Sequence, residues 1–119
     1  MSAESISVVK VRGILMLTVP PEPDDETISA LQEKVLRAMD KTKAKGLVMD
    51  IATVQTMDSF FARTIVETGE MVALMGGRTV IAGMQPSVAI TATQLGLTMG
   101  NLLTALNVDR ALDLLEKPE

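Results

Sequence analysis

The sequence predicts an α/β domain: a mixed β-sheet that begins with an antiparallel hairpin, with about four α-helices packed on it. Three observations carry the prediction. Two short β-branched runs joined through Arg12-Gly13 open the chain. Apolar runs then alternate with stretches of helical period. With no cysteine, no disulfide framework competes as the organising device. At 119 residues a single domain, 1–119, is expected, large enough to bury one core.

Each element follows in order. Ser5 to Val11 and Ile14 to Val19 read as strands, and a connection as short as Arg12-Gly13 makes them a hairpin. "PPEPDDE" breaks the pattern and places its acids at the start of a helix, where negative charge suits the dipole. From Asp24 to Thr42 the residues Ile28, Leu31, Val35, Ala38 and Met39 recur at helical spacing. Gly46 to Ile51, "GLVMDI", is a nearly continuous apolar run, as in a strand covered on both faces. A second helix is expected from Ser59 to Met75, stopped by Gly76-Gly77, and Arg78 to Met84 is the fourth strand. Pro86 starts a third helix through Leu95, with Gly96 as its stop. Asn101 to Leu106 is short enough for a strand, Asn107 is an N-cap for the helix "VDRALDLLE", and Pro118 ends the ordered chain.

Composition excludes several function classes. Without histidine the commonest general base and metal ligand are missing, and without cysteine so are thiolate metal sites. Most hydrolase and metal chemistry is thereby removed, with carboxylate-only sites left open; no catalytic residue, metal or cofactor is expected. The net charge of −4 and the single short basic stretch "DKTKAK" argue against nucleic acid. No basic n-region precedes an apolar segment, and no apolar run approaches the roughly 18–20 residues of a membrane span. A cytoplasmic domain of bacterial style is the expectation. Gly76-Gly77 follows a helix rather than a strand, so no phosphate-cradling loop of the P-loop or dinucleotide type is present.

In "TMDSFFART", Thr56 to Thr64, both aromatic residues of the chain stand beside its Asp-Ser pair. At 100° per residue Phe61, Ala62, Ile65, Gly69, Val72 and Ala73 share one arc, the expected core face. Arg63, Glu67 and Glu70 fall opposite. Phe60, near Thr64, Met71 and Leu74, falls beside the polar arc and is expected to face a partner. Asp58 is the N-cap candidate, leaving Ser59 as the first helical residue, near solvent and the positive end of the dipole. A phosphate there is electrostatically favoured and finds backbone donors. The bland reading, an ordinary capping pair, fits the same residues. No G-x-S-x-G elbow surrounds Ser59, and an enzyme would have Asp50 with Asp58 as its only pairing.

The segment "GLVMDIATVQTMDSFFARTI" resembles the central part of STAS domains, the family named for sulfate transporters and anti-sigma antagonists. There a strand ends in Asp and an Asp-Ser or similar pair opens the next helix. "GRTVIAGMQPSVAITATQLGL" and "LNVDRALDLL" resemble the family's fourth strand, third helix and terminal helix. Within the family the chain is most similar to the RsbS type, the single-domain scaffold of the bacterial stressosome. That resemblance implies dimers and large hetero-oligomers with RsbR-type STAS paralogues. It also implies sequestration of an RsbT-type serine/threonine kinase, phosphorylation of Ser59, and a resetting phosphatase. Asp58, Phe60, Arg63 and Thr64 are the expected partner-binding residues, with Ser87 and Thr79 as candidates for a second phosphorylation. Two alternatives stay open: a free anti-anti-sigma factor binding an anti-sigma kinase, and a nucleotide- or lipid-binding STAS-like module.

Overall fold

The computed structural model describes residues 6–96 and 102–117. Along the chain run β1 (Val8–Val11), β2 (Ile14–Thr18), α1 (Asp25–Thr42), β3 (Gly46–Asp50), α2 (Ser59–Leu74), β4 (Arg78–Ala82), α3 (Pro86–Gln94), β5 (Leu102–Ala105) and α4 (Val108–Glu116). Every expected element is present; α4 matches its expected span and the others are trimmed by one to three residues. Ser5, Asn101 and Pro118, expected at ends, lie outside the described residues. The strand order is β1-β2-β3-β4-β5, antiparallel between β1 and β2 and parallel thereafter.

The hairpin works because Arg12 and Gly13 both take positive φ, 54° and 79°, as a two-residue type I′ turn requires. The Gly13 carbonyl then accepts from Lys45 N at 3.0 Å, tying the turn to the entry of β3. From β2 onward each crossover steps the same way across the sheet. A common right-handed sense therefore puts α1, α2 and α3 on one face. Only α4, which leads to no further strand in this order, is left to cover the other.

Side-chain alternation matches this division. Leu15, Leu17, Leu47, Met49 and Ile81 join Leu31, Val35, Phe61 and Ile65 in the larger core. Ile14, Val48, Val80 and Ala82 meet Ala111, Leu112 and Leu115 of α4 in the smaller one. β3 is thus buried on both faces. On α2 the expected arc holds for Phe61, Ala62, Ile65, Gly69 and Val72, whereas Ala73 is exposed. The buried arc is instead displaced toward Thr64 and Thr68, because α1 packs along that flank and Gln32 Nε2 donates to Thr68 Oγ1 at 3.1 Å.

Helix ends are set by local chemistry. Asp24 caps α1 by accepting from Thr27 N at 2.8 Å, and Asn107 caps α4 by accepting from Arg110 N at 2.9 Å. α2 ends with Gly76 at φ 92°; Gly76 N donates to Ala73 O and Gly77 N to Val72 O, which is a Schellman closure. Gly69 lets α2 pack closely on β5, since a Cβ there would run into the Leu102 side chain. Gly69→Val is expected to destabilise the fold by about 2 kcal/mol through overpacking, read as a lower urea midpoint at unchanged slope.

Candidate functional site

The site is built from the carboxyl end of β3 outward. In a parallel sheet the loops leaving the strands' carboxyl ends gather at one edge, where connections are free of packing and open to ligands or partners. Asp50 closes β3 by accepting from Ala52 N through Oδ1 at 3.0 Å, so this acid is satisfied by neighbouring backbone, as expected. The Asp50 carbonyl accepts from Val19 N at 2.9 Å, and Ile51 N donates to Ala82 O at 3.0 Å. Buried Ile51, Val54 and Met57 anchor the loop from below.

Two contacts from the start of α3 fix the loop's other side. Gln85 Nε2 donates to the Ala52 carbonyl at 2.6 Å, and Ser87 Oγ donates to the Gln55 carbonyl at 3.2 Å. Gly83, at φ 79°, lets β4 exit so close to the loop that a Cβ would meet that of Ala52 at 3.0 Å. Nothing in the local sequence signals the role of Gln85; its partner lies thirty-three positions away. Pro86 fixes only where α3 begins.

The loop delivers Asp58 as the N-cap of α2, accepting from Phe61 N through Oδ1 at 2.8 Å. Ser59 is the first helical residue and is exposed, as are Asp58 and Arg63. Phe61 is buried at the head of the core. Phe60 departs from expectation. It is half-buried and, with Val66 and Met84, packs on the margin of the same core as Phe61. Adjacent rings both reach apolar surroundings, Phe61 inside the core and Phe60 on its margin, so the Phe60 ring leaves only part of its surface open.

Two further expectations are corrected. Thr64 is 6% exposed rather than on the outer surface: it lies one turn before Thr68 on the flank that α1 covers. Its burial removes it from the accessible face around Ser59. Thr79 is 1% exposed inside β4, and its Oγ1 finds no hydrogen-bond partner among the described residues. It pairs in register with Leu47 and Leu102 near the amino end of the sheet, out of reach of a kinase. Ser87 is exposed, but its hydroxyl is engaged with Gln55.

At the capping Asp58 a cleft of about 320 Å³ opens between the acidic loop before α1 and the start of α2, walled by Glu22, Pro23, Thr56, Met57 and Asp58 with Phe61 behind. The acids before α1 thus do more than favour a helix start: Glu22 shares this cleft with the capping Asp58. Among the described residues no group of three or more acidic, His or Cys side chains is arranged for a metal ion. No described helix is long and apolar enough to cross a membrane. Chemically, the arrangement offers an exposed hydroxyl, rigidly held at a helix's positive end, with an acidic border.

Known proteins bear the same layout. The model of the STAS domain family matches residues 5–111. The chain is similar to the RsbT co-antagonist protein RsbRB of Bacillus subtilis, 29% identical over 102 residues covering 86% of this chain and 37% of that protein. It therefore spans little more than a third of the length of that relative. Among solved structures, a serine-to-glutamate variant of RsbS from Moorella thermoacetica superposes with a TM-score of 0.84 at 31% identity, over 93% of this chain and 94% of that one. A chain of the stressosome superposes with a TM-score of 0.81 at 32% identity, over 92% and 96%.

Two substitutions test this geometry by chemical denaturation. Asp58→Ala is expected to cost about 1 kcal/mol, largely restored in Asp58→Ser, because only the capping acceptor is lost. Thr79→Val is expected to raise stability by about 1 kcal/mol, since it removes a buried hydroxyl that has no partner while conserving shape.

Proposed function

The chain belongs to the STAS domain family, and from that membership we propose that it is a non-catalytic regulatory scaffold in a bacterial stress-signalling complex. In this reading it sequesters a serine/threonine switch kinase and releases it when Ser59 is phosphorylated. The observation that carries the reading is the position of Ser59: exposed, first in α2, directly after the capping Asp58, on a loop pinned from both sides.

The physical chemistry of that position suits a switch. The γ-phosphoryl group of ATP would move to Ser59 Oγ as the serine proton leaves to the kinase's base. The product adds roughly 1.5 to 2 negative charges at the positive end of the helix dipole. Arg63, exposed one turn on, offers a cation at the i,i+4 spacing. The fold therefore tolerates the modification, while a partner fitted to a neutral hydroxyl beside Asp58 meets new charge. The message changes the surface and leaves the scaffold intact.

Likeness to RsbS and to a stressosome chain supports assembly with RsbR-type paralogues, and the names of the curated relatives support an RsbT-type kinase as the sequestered partner. A phosphatase that resets Ser59 completes the cycle, and the cytoplasm is its proposed setting. Asp58, Phe60 and Arg63 border the hydroxyl as the kinase-facing residues. Ser87 remains the second candidate for modification; phosphorylating it would break its bond to Gln55 and loosen the loop.

Incubation with an RsbT-type kinase and ATP, followed by mass spectrometry, is expected to show one main phosphate on Ser59. Ser59→Ala should carry none and should retain the kinase; equal labelling of that variant would falsify the assignment. Phe60→Ala is expected to weaken kinase binding and, because the ring is half-buried, also to cost about 1–2 kcal/mol of stability. Mixing with an RsbR-type paralogue is expected to give a megadalton particle by light scattering, whereas persistent small species would favour a free anti-anti-sigma factor.

A further inference from the structure

The basic stretch "DKTKAK", residues 40–45, is used neither by the serine's loop nor by the core. Three of the chain's eleven Lys and Arg residues, Lys41, Lys43 and Lys45, fall within it, and all three are exposed. Part of this is local chemistry. Lys41 lies in the last turn of α1 and Lys43 closes the helix at φ 55°, where cations offset the negative end of the dipole. Lys43 also pairs with Asp40 at 3.5 Å. Lys45 has no such duty. Its backbone N donates to the Gly13 carbonyl, while its side chain, beside the hairpin turn, forms no ion pair among the described residues.

The end of α2 adds apolar surface to these charges. Leu74 is 89% exposed, Met75 45% and Met71 36%. A cleft of about 300 Å³ brings Lys43, Ala44 and Lys45 together with Met75 and Gly76, and buried Met39 lines it too. At 100° per residue Met71 and Met75 fall on the flank of α2 that holds Thr64 and Thr68 and meets α1. Gly69, against Leu102, marks the other flank, toward β5. The cleft therefore lies between the ends of α1 and α2, away from the entry of β5.

We infer that this cleft docks an acidic segment of another protein, one that presents a large apolar side chain flanked by aspartate or glutamate. Charge complementarity selects the occupant. The chain as a whole carries −4, so a stretch in which three lysines outnumber one acid runs against the sign of the molecule. The unbranched thioethers of Met71 and Met75 adapt to an apolar side chain laid against Leu74. A compact anion such as free phosphate would sit against the carbonyl ends of two helices and gain nothing from that apolar surface. An acidic segment instead spreads its carboxylates over Lys41, Lys43 and Lys45 while covering it. Ser59 begins α2 and Leu74 ends it, about 22 Å away along the helix axis, so both surfaces can be occupied at once. The docking thus does not rest on phosphorylation of Ser59.

The probe is a synthetic amphipathic peptide with leucine at helical spacing and glutamate elsewhere; its counterpart carries lysine for every glutamate. Added to the isotopically labelled chain, the glutamate peptide is expected to shift the amide resonances of residues 41–45 and 71–77 saturably, and to leave those of residues 58–60 in place. The lysine peptide should shift none of them, and added salt should weaken the glutamate peptide. Lys41→Glu combined with Lys45→Glu and, separately, Leu74→Ser should each weaken binding roughly tenfold with an unchanged circular dichroism spectrum. The inference is overturned if no saturable shift occurs, if the shifts gather elsewhere, or if both variants bind like the unmodified chain. Phosphatidylserine vesicles are run in parallel; binding to them that needs Leu74, without any peptide shift, would overturn it in favour of a membrane surface. Should the double lysine variant not fold, Leu74→Ser decides alone, since that side chain is almost wholly in solvent. Ser59→Ala is expected to bind the peptide like the unmodified chain, so a failed phosphorylation experiment leaves this result standing.

Discussion

Burial of β3 on both faces is the constraint from which the rest of this structure follows. Leu47 and Met49 enter the core under α1 and α2, and Val48 the core under α4. A strand so enclosed is fixed in height and register, and its neighbours are fixed through it: β2 aligns Met16 with Val48, and β4 aligns Val80 with Val48. The three strands therefore end level, and the loop leaving β3 starts from a rigid point. A slip of one residue would exchange the two cores and drive Asp50 inward, which makes the register steeply specified.

That rigidity passes to the serine through short links. The Asp50 side chain turns the chain back on itself, buried Ile51, Val54 and Met57 hold the loop down, and Gln85 and Ser87 brace it from α3. The Asp58 cap then starts α2 at a defined residue, with Phe61 fastening the new helix to the core. Folding and the proposed signalling role are kept apart by position. The groups that hold the helix start face inward or toward backbone, and Ser59 is left exposed to solvent. A charge added there would meet the helix's positive end.

Much of this was legible from the residues. The hairpin was readable because Arg12-Gly13 leaves room for one turn type, and β3 because "GLVMDI" has no polar face. Asp58, Asn107 and Gly76 announced their helix ends because capping is local chemistry, acting within three or four residues. α2 shows the limit. Its helical wheel gave the residues facing the sheet, yet Thr64 and Thr68 are buried as well, since a wheel records one partner and α2 has two. Phe60 shows the same limit: periodicity places its ring beside the polar arc, but does not say how much of it the margin of the core covers. Thr79 looked like any strand hydroxyl, and its enclosure under α2 was invisible without the packing. Gln85 carried no signal because its acceptor is the backbone of a different crossover.

The sequence by itself determined the alternation of strands and helices, the places where each begins and stops, and the identity of Ser59 as the first residue after a cap. These depend on backbone dihedral preferences and on hydrogen bonds between near neighbours, which are written in adjacent residues. Only the tertiary structure decided which hydroxyls and rings remain accessible, how the acidic loop before α1 comes to wall the cleft at Asp58, and that the lysines after α1 share a cleft with the exposed end of α2. Those are matters of which distant element lies over a given side chain, and the chain fixes that only when all its layers are packed at once.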